Sequence, residues 1–137
     1  MSVSIHVLTS LKTALRAHVL AKPEVAALVG SAFHDMPQKT ANPPYLAFGN
    51  AVLRDDSSQL SDAVSLDLEV IALAHERGTT RAMALAAAFE AALSEPIPPL
   101  EGHRLIALER PEARIQHDAE KNLVRASYRL RAYIEQL

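Results

Sequence analysis

Residues 122–136 read NLVRASYRLRAYIEQ, and apolar and polar positions alternate along nearly the whole stretch. Val124, Ala126, Tyr128, Leu130, Ala132 and Ile134 fall on one side. Arg125, Ser127, Arg129, Arg131 and Tyr133 fall on the other, as in a strand with one face in a core. VSLDLEVIALA, residues 64–74, begins the same way, with Val64, Leu66, Leu68 and Val70 opposed to Ser65, Asp67 and Glu69. PPYLAFGNAVL, residues 43–53, opens on two prolines that forbid a helix and continues as an apolar-rich strand. HRLIALERPEARIQHD, residues 103–118, is a further strand, and Pro111 within it predicts an edge position or a bulge.

Elsewhere the period is 3.6. Ile5, Leu8, Leu11, Leu15 and Val19 recur at steps of three and four, which predicts a first helix capped by Ser4. Pro23 suits the first turn of a second, short helix, PEVAALV, which Gly30 closes. After Gly78, threonines offer caps for an alanine-rich helix that ends near Ser94, with Leu85, Phe89 and Leu93 on one stripe. RDDSSQLSDA is a polar loop between strands. The predicted order is helix, helix, strand, strand, helix, strand, strand. Two hairpins joined through a helix make an α+β fold: a mainly antiparallel four-stranded sheet with helices packed on one face. The whole chain, 1–137, reads as a single domain.

Composition narrows the function. The chain is 49% apolar and 22% charged, with a formal net charge of −2. A general nucleic-acid binder needs a basic surface, so that class is disfavoured. With no cysteine, disulfides and thiolate metal sites are excluded. The first 22 residues carry Lys12, Arg16 and His18 within their apolar stripe, unlike a signal peptide. No stretch approaches the roughly 20 apolar residues of a membrane span.

Catalytic equipment is hard to assemble from the remaining residues. The histidines, His6, His18, His34, His75, His103 and His117, include no pair at the i, i+4 spacing of a helical metal site. His34 and Asp35 are adjacent, but neighbours in extended chain point apart, so the aspartate does not orient the histidine. Ser31 lacks the glycine frame of a nucleophile elbow. The four glycines are scattered singly and form no phosphate loop. Neither a catalytic residue nor a cofactor is expected. Arg125, Arg129 and Arg131 either face DNA or pair with Asp67 and Glu69 on the polar side of the sheet. With so few aromatics to stack on bases, the salt-bridged sheet face is the better reading.

Alternation fails at EVIALA and HRLIALE, where Ile71, Leu73, Leu105, Ile106 and Leu108 place apolar groups on both sides of their strands. Helices cover one face of such a sheet. Either a loop or the first helix wraps over the second face, or a partner buries it; the partner is the reading adopted here. Ile71, Leu73, Leu105 and Ile106 are the candidate subunit contacts, and the polar loop at Arg54, Asp55 and Asp56 is the candidate docking loop.

PEVAALVGSAFHDMPQKTANPPYLAFGN carries Gly30, Asp35, Pro37, Pro44 and Tyr45 in an order that resembles the tail-completion, or tail-terminator, proteins of long-tailed phages and gene transfer agents. In that family a helical start leads through a glycine and a short strand ending in Asp to Pro, a gap and Pro-Tyr. LDLEVIALAHERGTTRAMALAAAFEAAL is similar to the family's second strand and central helix, and residues 100–135 to its closing hairpin. The resemblance implies a structural particle protein and no enzyme. It implies a homo-oligomer, usually a hexameric ring, at the head-proximal end of the tail tube. The ring stops tube growth and meets a head-side connector or stopper protein, and DNA only passes through its channel. It implies synthesis in the cytoplasm, incorporation into the particle, and no membrane partner. On this basis Asp67, Glu69, Arg125, Arg129 and Arg131 line a polar channel or form a salt-bridged face.

Overall fold

The computed structural model describes residues 5–38, 42–57 and 62–136. Two helices, α1 (His6–Leu20) and α2 (Pro23–Val29), precede a two-residue strand β1 (Phe33–His34). A hairpin of β2 (Tyr45–Asp55) and β3 (Ala63–His75) follows, then α3 (Thr80–Leu93) and a hairpin of β4 (His103–Asp118) and β5 (Leu123–Gln136). The strands form one sheet in the order β1-β2-β3-β5-β4. Neighbours among β2, β3, β5 and β4 pair antiparallel, while β1 lies parallel to β2, Phe33 beside Leu46 and His34 beside Ala47.

The sheet is thus mixed and five-stranded, not the four-stranded antiparallel sheet expected from the pattern. Two residues are too few to show a period. β1 is instead held from outside: the Arg16 guanidinium of α1 donates to the Phe33 carbonyl at 2.9 Å and to the Ser31 carbonyl at 3.3 Å.

The core lies between the three helices and one sheet face. Val64, Leu66, Leu68 and Val70 of β3 and Ala126, Tyr128, Leu130, Ala132 and Ile134 of β5 supply the sheet side. Leu11, Leu15 and Val19 of α1 bury as expected, but Ile5 is exposed and Val7 and His18 complete the stripe. The expected cap, Ser4, lies outside the described residues. His18 had looked like an interruption of the apolar face. Its Nε2 instead sits 2.8 Å from the carbonyl of Ala92 in the last turn of α3, where helical carbonyls lack intrahelical partners.

α3 buries Ala82, Leu85, Ala86, Phe89 and Ala92, and leaves Leu93 half-buried. Thr79 stands at the N-cap but makes no side-chain cap bond. The Glu76 carboxylate does this work, accepting from the N–H of Arg81 at 3.0 Å and of Ala82 at 2.7 Å. A carboxylate there also faces the positive end of the helix dipole. Glu76→Ala is expected to cost about 1 kcal/mol in urea unfolding, a typical cap loss. Thr79→Ala should leave the midpoint nearly unchanged; equal losses would show that the glutamate is not the cap.

β4 is an edge strand, as Pro111 predicted, and its pairing with β5 slips between Glu109 and Glu112 around the proline. A second slip lies between Leu105 and Ala107, and a third in β2 between Phe48 and Ala51. Such bulges bend strands and increase local twist.

Candidate functional site

The face of the sheet turned away from the helices carries the charge. Cross-strand register sets Val52, Asp67, Arg131 and Glu109 in one row across β2, β3, β5 and β4. Asp67 holds the centre: one carboxylate oxygen accepts from Arg131 Nε at 2.9 Å, the other from Arg54 at 3.0 Å. Glu69 and Arg125 approach to 3.8 Å, and Glu112 takes Arg114 at 2.8 Å and Arg129 at 3.8 Å. All of these paired side chains except Arg131 line a shallow hollow of about 360 Å³ that spans all four long strands. Asp67, Glu69, Arg125, Arg129 and Arg131 are therefore brought together on one face, and each takes part in an ion pair.

The Arg131 hydrogen bond holds the Asp67 carboxyl below its ordinary range, helped by Arg54 and opposed by burial. A carboxyl whose pKa is lowered on folding contributes stability above its unfolded value, near 4, and loses it as pH falls through the lower folded value. Asp67→Asn is expected to cost about 1–2 kcal/mol at pH 7, the usual loss for a charge-assisted bond. The gap from the parent protein should close below about pH 4. A gap that stays constant from pH 7 to pH 3 in chemical denaturation would contradict this role for Asp67.

A glycine makes room for this network. At Gly49 an added Cβ would stand 2.1 Å from a Glu69 oxygen and 3.0 Å from the Glu69 Cβ. Seen in sequence, Gly49 was one isolated glycine; its signal was its position beside a bulge in an otherwise apolar strand.

His34 and Asp35 do not meet as a dyad. The His34 ring lies edge-on to Tyr45 at 5.0 Å, while Asp35 pairs with Lys12 of α1 at 3.0 Å. The His34–Asp35 stretch is thus tied to β2 on one side and to α1 on the other. Among the described residues no cluster of three or more potential metal ligands exists, and no helix is long and apolar enough to cross a membrane.

The four candidate subunit contacts scatter. Ile71 is only 2% exposed although it lies on the helix-free face. Ala47 opposite it and Tyr45 opposite Leu73 are buried as well, and the Tyr45 hydroxyl donates to the Gln38 carbonyl. Gln38 thus stands beside Tyr45 at this end of the face. Leu73 is half-buried, and Leu105 is half-buried against the helix-side core. Ile106, in the first β4 bulge, is 53% exposed. Arg54 and Asp55 end β2, Asp56 follows, and all three are exposed. Hydrogen bonding from Ser57, first by its side chain and then by its N–H at 2.9 Å, holds the Asp55 carboxyl below its ordinary range.

On the helix side, α3 covers only part of β4. Met83 and Ile115, 50% and 46% exposed, border an apolar groove with Ala87 and Ala113. Nearby, Glu90 accepts from the Tyr128 hydroxyl at 2.7 Å and pairs with Arg110 at 3.3 Å. Burial, then the Glu90 carboxylate, pushes the Tyr128 hydroxyl well above its ordinary pKa. No sequence spacing marked this link between α3, β5 and β4.

Comparison with known proteins adds family to geometry. A search of curated proteins finds no match. Among solved structures, a chain described as "Virion of native gene transfer agent (GTA) particle" shares 27% identity and a TM-score of 0.83. The match covers 96% of this chain and 99% of that one. The family model for tail completion protein gp17 matches residues 13–135, from the middle of α1 almost to the end of β5. With that match running through every strand and the charged face they carry, the chain belongs to the tail completion protein gp17 family.

Proposed function

We propose that this protein is a tail terminator: copies of the chain form a ring, six in number, on the head-proximal end of a finished tail tube. There the ring ends tube polymerisation and receives the head-side connector or stopper protein. The observation that carries this reading is the near-complete likeness, over both chains, to a protein of a gene transfer agent virion, together with the family match. The protein is made in the cytoplasm and ends in the particle, acting by contact and not as an enzyme.

The charged face suits a channel wall. Its arginines are already engaged by Asp67, Glu69 and Glu112, so a passing phosphate backbone finds few free cations. Leu73, Leu105 and Ile106 offer surface for subunit packing, with Ile71 as support beneath. In this reading Arg54, Asp55 and Asp56, at the end of β2, dock on a neighbouring ring.

The test is removal of the protein from the assembling particle, followed by electron microscopy. Overlong tails, or finished tails not joined to heads, are expected. Particles with no tails at all would favour another head–tail joining or tail-tube role, and normal particles would end the proposal.

A further inference from the structure

Past Pro111, β4 runs along the border of the sheet, and among the described residues no strand lies outside it. Its last six residues, Ala113 to Asp118, are all exposed. Which of its backbone groups face outward follows from the neighbouring ladder. Gln136 donates its N–H to the Asp62 carbonyl and Glu76 its N–H to the Asn122 carbonyl, both at 2.7 Å and both in the β3–β5 register. Antiparallel pairs that exchange bonds alternate with pairs that do not. Even-numbered residues of β5 therefore bond β3, and odd-numbered ones bond β4. The β4 partners of Arg129, Ser127, Arg125 and Leu123 are Glu112, Arg114, Gln116 and Asp118. Ala113, Ile115 and His117 are left with N–H and carbonyl groups turned away from β5.

We propose that two copies of the free protein pair antiparallel through this half of β4, about a twofold axis at Ala113. The run is complementary to itself in charge. Reading outward from Ala113, one direction meets Glu112 and then Pro111, the other Arg114 and then Ile115. About that axis Glu112 opposes Arg114 of the second copy, and Arg114 opposes its Glu112. The neighbouring registers that also match outward-facing residues are worse. An axis at Arg114 sets that arginine against itself, and an axis at Ile115 sets Glu112 against Asp118.

Both faces fit. On the charged side the two Glu112–Arg114 contacts are pairs of the non-hydrogen-bonded kind, whose side chains stand closest. On the helix side Ala113 meets Ala113, small enough to admit its copy. Ile115, which shares the rim of the α3 groove with Met83, comes to lie opposite Pro111 of the second copy. Pro111 ends the seam, since it has no N–H to give. The pairing covers the exposed half-strand before assembly. It goes beyond the ring reading and does not depend on it: a twofold contact closes on two copies, whereas a ring is built from a different, head-to-tail contact.

Sedimentation of the free chain is expected to show a reversible step from monomer to dimer. Glu112→Arg turns two attractive cross-strand pairs into two repulsive ones and should raise the dissociation constant roughly tenfold. Glu112→Arg/Arg114→Glu should restore pairing. Single cysteines read the register, because the chain has none of its own. Two Ala113→Cys chains bring their Cα atoms to about 5.5 Å, a span that a disulfide bridges. Two Ile115→Cys chains stand four residues out of step, roughly 13 Å along the strand. Under mild oxidation the Ala113→Cys dimer should form about tenfold faster than that of Ile115→Cys or Gln116→Cys, all three at exposed positions. Equal rates, faster crosslinking at Ile115, or a chain that stays monomeric at the highest soluble concentration overturns the pairing. Each of these results leaves the ring reading to its own test on the particle.

Discussion

Ile71→Asp is expected to destabilise the single subunit strongly, not merely to prevent its assembly. The side chain is 2% exposed in one chain, with Ala47 and Tyr45, also buried, on the neighbouring strand. The substitution removes buried apolar area worth about 2–3 kcal/mol and places a carboxylate where water does not reach. Together these put the loss at roughly 4 kcal/mol or more, the range reserved for unpaired buried charge. A domain of this size has about 5–15 kcal/mol in total, so urea unfolding should show a strongly lowered midpoint. Ile106→Asp is the counterpart: at a half-exposed bulge it should shift subunit stability by no more than about 0.5 kcal/mol. Any assembly defect in Ile106→Asp then reports on contact between copies, whereas a defect in Ile71→Asp reports on folding. Near-native unfolding of Ile71→Asp would mean that the side chain is not buried within the single subunit.

The second large effect is at Phe89. Its ring is fully buried in the middle of α3, 5.2 Å from the Tyr128 ring of β5 and tilted by 43°. It is the largest side chain by which α3 grips the sheet, since the rest of the buried stripe is one leucine and three alanines. Phe89→Ala is expected to cost about 3–5 kcal/mol, transfer and cavity terms together. Phe89→Leu should recover most of that by refilling the space. The same truncation loosens the platform on which Tyr128 reaches Glu90 and Glu90 reaches Arg110. The tyrosine titration, monitored by absorbance, should therefore move back toward its ordinary value in Phe89→Ala. A loss below about 1 kcal/mol would show that α3 is anchored elsewhere.

Much of this fold is written in periodicity. β4 was expected over residues 103–118 and occupies them, and β3 and β5 differ from expectation by one residue at their ends. These are long strands in which one side is packed and the other wet, so the period-two pattern is strong. What escaped is whatever depends on a partner far away in the chain. β1 owes its place to Arg16, and the cap of α3 is a glutamate three residues before the N-cap, outside the usual threonine position. His18 read as polar because a ring nitrogen within reach of a carbonyl 74 residues later has no sequence mark.

The candidate site was legible in the same uneven way. Asp67 and Arg131 lie in the two best-patterned strands, so alternation placed both on the polar side, while the register that sets them opposite each other has no mark in the sequence. The third member, Arg54, came from a segment read as a polar loop, since β2 runs two residues further than its apolar stretch. Ile71 misled because loss of alternation shows that both sides of a strand are apolar but not which neighbour covers the second. Here Ile71 is already buried within one chain, beside the buried Ala47 and Tyr45 of β2.

Pro111 has a meaning for life before assembly. A sixteen-residue border strand with no outer strand partner among the described residues is a ready template for indiscriminate stacking, the first step toward fibrils. The ring of Pro111 removes one donor halfway along, and the slip beside it throws the two halves out of line. Each remaining run is short, enough for one brief, reversible handshake and too little to seed a self-propagating deposit. The strand that invites company thus carries its own safeguard against crowds.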